Sequence, residues 1–389
     1  MTSYIKQFKQ INPNLILVSI SILVWGIAEG SFMIFQPIYL QELGASPVLI
    51  GLIIGLNGLS MALLPIPVGI LTDKIGPRPI MLFSWFFAAF AAWIMALANS
   101  LPVFIIGLLL YGLTFSMLAP LNIYVVNARG KLSTTRALSL ITISYNLGAI
   151  IGPVLGGWIG QKTNLKTVYL VAASIIILST LIILFISKQD PVTTKTQSKT
   201  KFDFLKNRII ITFLLLIAIS TLTTYLPWPL TPNFLQNIKG LSLTQIGQLG
   251  SIGSMGNVLI MLLLANMRPY YGWLFGQLFV SLFAAAIWLG TGFGWYGFGF
   301  LIFGGYRLIH IMYLAFAKPM INPQEIGFFY GLIEAVNAAA IFLAPPIAGY
   351  LYNRNPETIY PVSIFLILFT LGICSIFLKK ISNSFQDQI

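Results

Sequence analysis

Four ionisable side chains stand inside long apolar stretches of this sequence: Glu29 in WGIAEGSFMIFQP, Arg307 and His310 in FGGYRLIHIMYL, and Glu334 in GLIEAVNAAA. A charge held in hydrocarbon costs at least about 2.5 kcal/mol, so such groups face a cavity or a partner and are candidates for handling protons or ions. Glu29, a lone carboxylate near the middle of the first apolar stretch, suits binding of a proton or a cationic substrate, or else is a structural pairing or a polar spot on a helix interface. Arg307 and His310 are three residues apart and share one helix face. His310 and Glu334 each lie twelve residues from a loop near residue 322, on consecutive antiparallel helices. They are therefore expected at similar depth and in contact, with Arg307 one turn further out. Such a cluster can change partners when a proton or an anionic ligand arrives, or it can be a static ion pair that aligns two helices.

Other chemistry is poorly provided for. His310 is the single histidine and Cys374 the single cysteine, which leaves no set of nitrogen and sulfur ligands for a metal and no disulfide framework. Cys374 is expected to pack against lipid. No nucleophile–base pair or glycine-rich phosphate loop is visible, so neither an enzyme nor a cofactor is expected. Pro227, Pro229 and Pro232 in TTYLPWPLTPNF remove three backbone donors within six residues. Broken backbone at membrane depth is tolerated only against protein or a water-filled cavity, so this segment is a candidate gate or binding wall. Its Tyr225 and Trp228 are either ligand contacts or interfacial anchors. Weaker cavity candidates are Trp25, Gln36, Tyr111, Asn122, Tyr145, Asn146, Tyr306 and Asn337.

The elements that must position these groups are membrane spans. Of 389 residues, 57% are hydrophobic and 8% charged, too few polar groups to coat a soluble globule of that size. A span needs about 20 apolar residues. Apolar runs predict helices near 14–40, 47–71, 79–98, 102–126, 135–160, 167–187, 209–236, 243–266, 272–290, 295–317, 327–352 and 359–378. The expected fold is all-α, with twelve transmembrane helices in two six-helix bundles, 1–187 and 209–389. They are joined by a flexible polar linker, 188–208. The net charge of +13 acts as a topology signal and not as a nucleic-acid footprint. With both termini in the cytoplasm, seventeen basic residues fall inside, among them Lys6, Lys9 and Arg129, while Lys162, Lys166, Lys239 and Arg354 fall outside and Arg307 within a span. A multi-pass protein of the cell membrane, monomeric and without a cleaved signal peptide, is the resulting expectation.

The halves read as imperfect copies. PIYLQELGASPVLIG from Pro37 parallels PNFLQNIKGLSLTQIG from Pro232, with one inserted residue. LLYG at Leu109 parallels LIFG at Leu301, and GPVLGGW at Gly152 parallels APPIAGY at Ala344, both at an offset of 192. Internal repeats of this kind place a substrate site near the bilayer midplane.

Two motifs carry a family resemblance. GILTDKIGPRP, through Gly69, Asp73, Lys74, Gly76 and Arg78, resembles the loop signature of the major facilitator superfamily. Gly76 can take a positive φ, Gly69 permits a close helix approach, and Asp73 can pair with a cation or a helix N-terminus. The resemblance implies a latch for the outward-facing state. The matching loop of the second half, ANMRPYYG, keeps Arg268 without the acid or the glycines. NLGAIIGPVLGGW, through Gly148, Gly152, Pro153, Gly156 and Gly157, is similar to the helix-five signature of the superfamily's drug/proton antiporters, with Ser139 in place of its first glycine. Its small residues and proline suit tight packing and a hinge. One departure stands out: the fourth helix, YGLTFSMLAPLNIYVV, lacks the arginine that proton antiporters of this branch carry.

The resemblance implies a secondary transporter that exports small amphipathic or hydrophobic compounds by alternating access, coupled to protons. An importer, a lipid flippase with Arg307 on an anionic head group, or a non-transporting membrane sensor are the rival readings.

Overall fold

The computed structural model describes residues 12–189, 207–321 and 326–386. Lys6, Lys9, most of the linker 188–208 and the loop near residue 322 lie outside the described residues. Among those residues twelve helices are long and apolar enough to cross a bilayer: α1 (Pro13–Met33), α2 (Pro47–Ile75), α3 (Pro77–Leu97), α4 (Leu101–Asn127), α5 (Thr134–Lys162), α6 (Leu165–Ile183), α7 (Arg208–Tyr225), α8 (Leu243–Leu264), α9 (Pro269–Leu289), α10 (Phe293–Met320), α11 (Phe328–Arg354) and α12 (Pro356–Leu378).

Several helices break where the sequence provides a reason. α7 ends at Tyr225, and the chain becomes helical again only at Thr231–Asn237, so the Pro227–Pro229 stretch forms the expected interruption. α1 carries a matching break that the apolar run 14–40 conceals. It stops at Met33 and a short helix, Gln36–Glu42, follows with Pro37 in its first turn, where a missing N–H does least harm. α2 is divided at Leu64 ahead of Pro65. α4 tightens into a 3₁₀ turn at Thr114–Met117, where the Thr114 and Ser116 hydroxyls donate to the carbonyls of Tyr111 and Leu113 at 2.6 and 2.8 Å. Pro120, a turn later, has no N–H to extend an α-helical ladder there.

The chain forms two compact units. One comprises Met1–Gly44, Ser60–Lys195 and Ser242–Ser251, the other Ala45–Leu59, Thr196–Leu241 and Ile252–Ile389. Each is one sequence half whose membership is exchanged at a helix start: the first turns of α8 join the first unit and those of α2 the second.

In the first unit α1 packs on α5 and α6, and α3 on α4 and α6. In the second α7 packs on α11 and α12, and α9 on α10 and α12. The repeat extends to buried polar atoms. Trp85 of α3 donates its Nε1–H to the hydroxyls of Ser21 and Ser179, both at 3.1 Å, joining α1, α3 and α6. Trp273 of α9 donates to Ser220 of α7 at 3.1 Å, and Cys374 of α12 lies 3.4 Å from the same hydroxyl. Cys374 is fully buried, not lipid-facing as the sequence suggests, because it occupies in α12 the place that Ser179 holds in α6.

Candidate functional site

The glycines of α5 serve two faces, not one. A Cβ on Gly148 or Gly156 would run into the backbone oxygen of Leu23 or Ser31, and one on Gly152 would lie 2.5 Å from the oxygen of Ile27. α1 answers with Gly26 and Gly30, where a Cβ would come within 2.5 Å of the Tyr145 oxygen and 3.1 Å of the Pro153 ring. The two backbones therefore touch directly from Leu23 to Ser31 on α1 and from Gly148 to Gly156 on α5, the small-residue packing used between helices in lipid. Gly157 faces the start of α8 instead, where a Cβ would meet the Leu243 oxygen at 2.5 Å, and Gly247 seats against the carbonyl of Pro153. The second unit repeats this crossing at the start of α2: Gly51 seats against the carbonyl of Pro345 and Gly349 against that of Pro47.

The close α1–α5 contact sets the surroundings of Glu29. Glu29 is 3% exposed, and the Tyr145 hydroxyl from α5 donates to its Oε2 at 3.1 Å. A buried carboxylate without such donors would be strongly disfavoured. Tyr145 and Asn146 are half-buried, and the Asn146 amide donates to the Thr142 carbonyl in its own helix. Trp25 and Tyr111 lie deeper. They are 2% and 1% exposed and stack with centroids 6.1 Å apart, with Trp85 against Trp25, so they belong to the unit's aromatic core. Gln36 is buried, and its Nε2 has no hydrogen-bond partner among the described residues.

In the second unit the structure brings His310 and Glu334 together. His310 Nε2 stands 2.9 Å from Glu334 Oε1, and the two side chains are 38% and 48% exposed. Arg307 is exposed on the same side of α10, yet among the described residues no carboxylate lies within 4.0 Å of it. The expected three-membered cluster is thus a pair with a guanidinium beside it. Tyr313 supports the imidazole edge-on at 5.1 Å. One turn along α11, Asn337 accepts from the Thr221 hydroxyl of α7 at 3.1 Å, so α7, α10 and α11 converge here.

The α7 break adds an aromatic wall. Trp228 stacks on Phe303 at 4.5 Å and 11°, Phe303 on Tyr306 at 5.9 Å and 4°, and Tyr225 lies 5.5 Å from Tyr306. Tyr225, Trp228 and Tyr306 are each only half-buried.

The loop motif behaves in part as expected. Gly76 has φ 87°, the left-handed region that favours glycine, and turns the chain from α2 into α3. Arg78 donates through Nη2 to the Leu184 carbonyl at 3.4 Å, satisfying an acceptor at the end of α6. Asp73 and Lys74 are exposed. Asp73 and Asn122 line a pocket of about 330 Å³ with Thr72, Pro77 and Asn127. Gly69 differs: a Cβ there would meet nothing within 4 Å, so within this structure no close approach depends on it.

Sequence reasoning missed the Trp85 and Trp273 hydroxyl triads. The available signal was a tryptophan in the third span of each half, LFSWFF and YYGWLF.

Among the described residues, twelve apolar helices in two repeated units, with ionisable groups inside several of them, give the architecture of a multi-pass membrane protein. The Major Facilitator Superfamily profile matches residues 18–345, and the chain belongs to that family. It is 32% identical over 155 residues to the inner membrane transport protein YajR of Escherichia coli K12, covering 37% of this chain and 34% of that one. It is 25% identical over 173 residues to the multi-drug resistance efflux pump PmrA of Streptococcus pneumoniae, covering 43% of each. The chain thus matches less than half the length of either relative. The crystal structure of the nucleoside transporter NupG superposes with a TM-score of 0.74 over 96% of this chain and 98% of that one. At 14% identity that likeness concerns the fold alone.

Proposed function

We propose that the protein exports small amphipathic or hydrophobic compounds across the cell membrane by alternating access, in exchange for protons, with both termini in the cytoplasm. The observation that carries the reading is the contact of His310 with Glu334 at 2.9 Å, because an imidazole and a carboxylate that face each other inside two spans are groups between which a proton can pass. Glu29 with its Tyr145 donor is a second proton or cation site, in the other unit. Efflux as the direction rests on the helix-five motif and on the likeness to PmrA, an efflux pump by name. The inward-lying excess of basic residues, seventeen against four, supports the orientation. The few hydrogen-bonding groups beside many rings suit a lipophilic ligand better than a sugar.

The test uses everted vesicles and three naphthalene probes of like size: the 2-sulfonate, the neutral 2-sulfonamide and the 2-methylammonium. An inside-acid gradient should drive uptake of at least one, and a protonophore should abolish it. Uptake that ignores the gradient, or that occurs only in right-side-out vesicles, contradicts the proposal.

A further inference from the structure

We infer that Arg307 and the ring wall beside it form the substrate-binding face of the second unit, and that the compounds it takes are aromatic organic anions. The inference rests on the transport reading above and narrows it to one charge class.

Arg307 is the fifteenth residue of the 28-residue span Phe293–Met320, and so lies at its middle. The hydrocarbon edge is about 15 Å away in either direction, beyond the reach of an arginine side chain that snorkels. A guanidinium is charged at every accessible pH, and exposure to lipid at that depth costs at least about 2.5 kcal/mol. Arg307 is nevertheless exposed on its unit, so the face that carries it is wet. Glu334 pairs with His310 at 2.9 Å, and among the described residues no carboxylate stands within 4.0 Å of the guanidinium. The five donors of Arg307 remain available to a carboxylate, sulfonate or phosphate.

The next residue back supplies the second half of the site. Tyr306 is stacked face to face with Phe303 at 5.9 Å and 4°, and Phe303 with Trp228 at 4.5 Å and 11°. This column runs from Tyr306, the sequence neighbour of Arg307, to the break in α7, with Tyr225 flanking it at 5.5 Å. Because Tyr306, Tyr225 and Trp228 are only half-buried, they leave ring surface for a planar apolar body. An anionic head on Arg307 with an aromatic body along Tyr306 satisfies both features, whereas a cation would meet Arg307 as a like charge.

The three naphthalene probes test this directly, read as the ratio of sulfonate to sulfonamide uptake in each variant. The wild type should favour the sulfonate over both other probes. Arg307→Gln should lower the ratio at least tenfold, and Arg307→Lys, which keeps the charge, should hold it within about threefold of wild type. The ratio is internal to each preparation, so a poorly folded variant does not mimic the effect, and a normal thermal melt in detergent confirms the fold. A wild type that moves the sulfonamide or the ammonium but not the sulfonate overturns the assignment and leaves proton-coupled export standing. An unchanged ratio in Arg307→Gln also overturns it. Movement of none of the three, with no proton exchange, overturns both.

Discussion

The phenol of Tyr145 reaches from α5 to the carboxylate of Glu29 on α1, donating to Oε2 at 3.1 Å. Three glycines of α5 bring the helices close enough for this hydrogen bond, so the packing motif and the buried acid of α1 are one arrangement.

Loss of that donor should be felt in transport. A hydrogen bond to a charged group contributes about 1.5–3 kcal/mol, and Tyr145→Phe is expected to lower gradient-driven uptake in everted vesicles about tenfold while the protein still accumulates in the membrane. Uptake at the wild-type level would separate Tyr145 from the role proposed for Glu29.

Two glycine substitutions should act in opposite directions. A Cβ at residue 152 would sit 2.5 Å from the Ile27 oxygen and 2.8 Å from Gly30, backbone atoms that cannot step aside. Gly152→Ala should therefore cost about 1–3 kcal/mol by overpacking and lower the melting temperature in detergent. Gly69→Ala, which meets nothing within 4 Å, should be neutral or stabilising by up to about 1 kcal/mol through helix propensity. Equal effects of the two would contradict the packing described.

The two hydroxyl triads differ in redundancy, and so should their variants. Ser21 and Ser179 both accept from Trp85, so Ser179→Ala leaves one acceptor in place. Ser220 is the acceptor that Trp273 has in its triad. Ser220→Ala strands a buried indole N–H at about 1–3 kcal/mol, and its thermal melt should fall further than that of Ser179→Ala. The reverse order would refute the assignment.

Much of the fold was legible in the sequence, since spans announce themselves by length and apolarity. The α7 break could be read from its prolines. The α1 break could not, because Pro37 sits beyond the gap at Ile34 and Phe35 within an unbroken apolar run. The meeting of His310 and Glu334 followed from equal distances to one loop. Arg307 remained outside the pair because sequence spacing fixes the side of a helix and not the reach of a side chain toward its neighbour. The burial of Trp25, Tyr111 and Cys374 was not readable for a related reason: in a membrane protein core and lipid-facing positions are equally apolar, so composition does not separate them.

The central claim, proton exchange through the His310–Glu334 contact, is tested most directly by the pH gradient consumed when probe is added to energised everted vesicles. Wild-type vesicles should release part of the gradient on addition of the transported naphthalene probe. In Glu334→Gln and His310→Ala this release should fall at least tenfold, with normal amounts of protein in the membrane. Undiminished gradient consumption in both variants would contradict it.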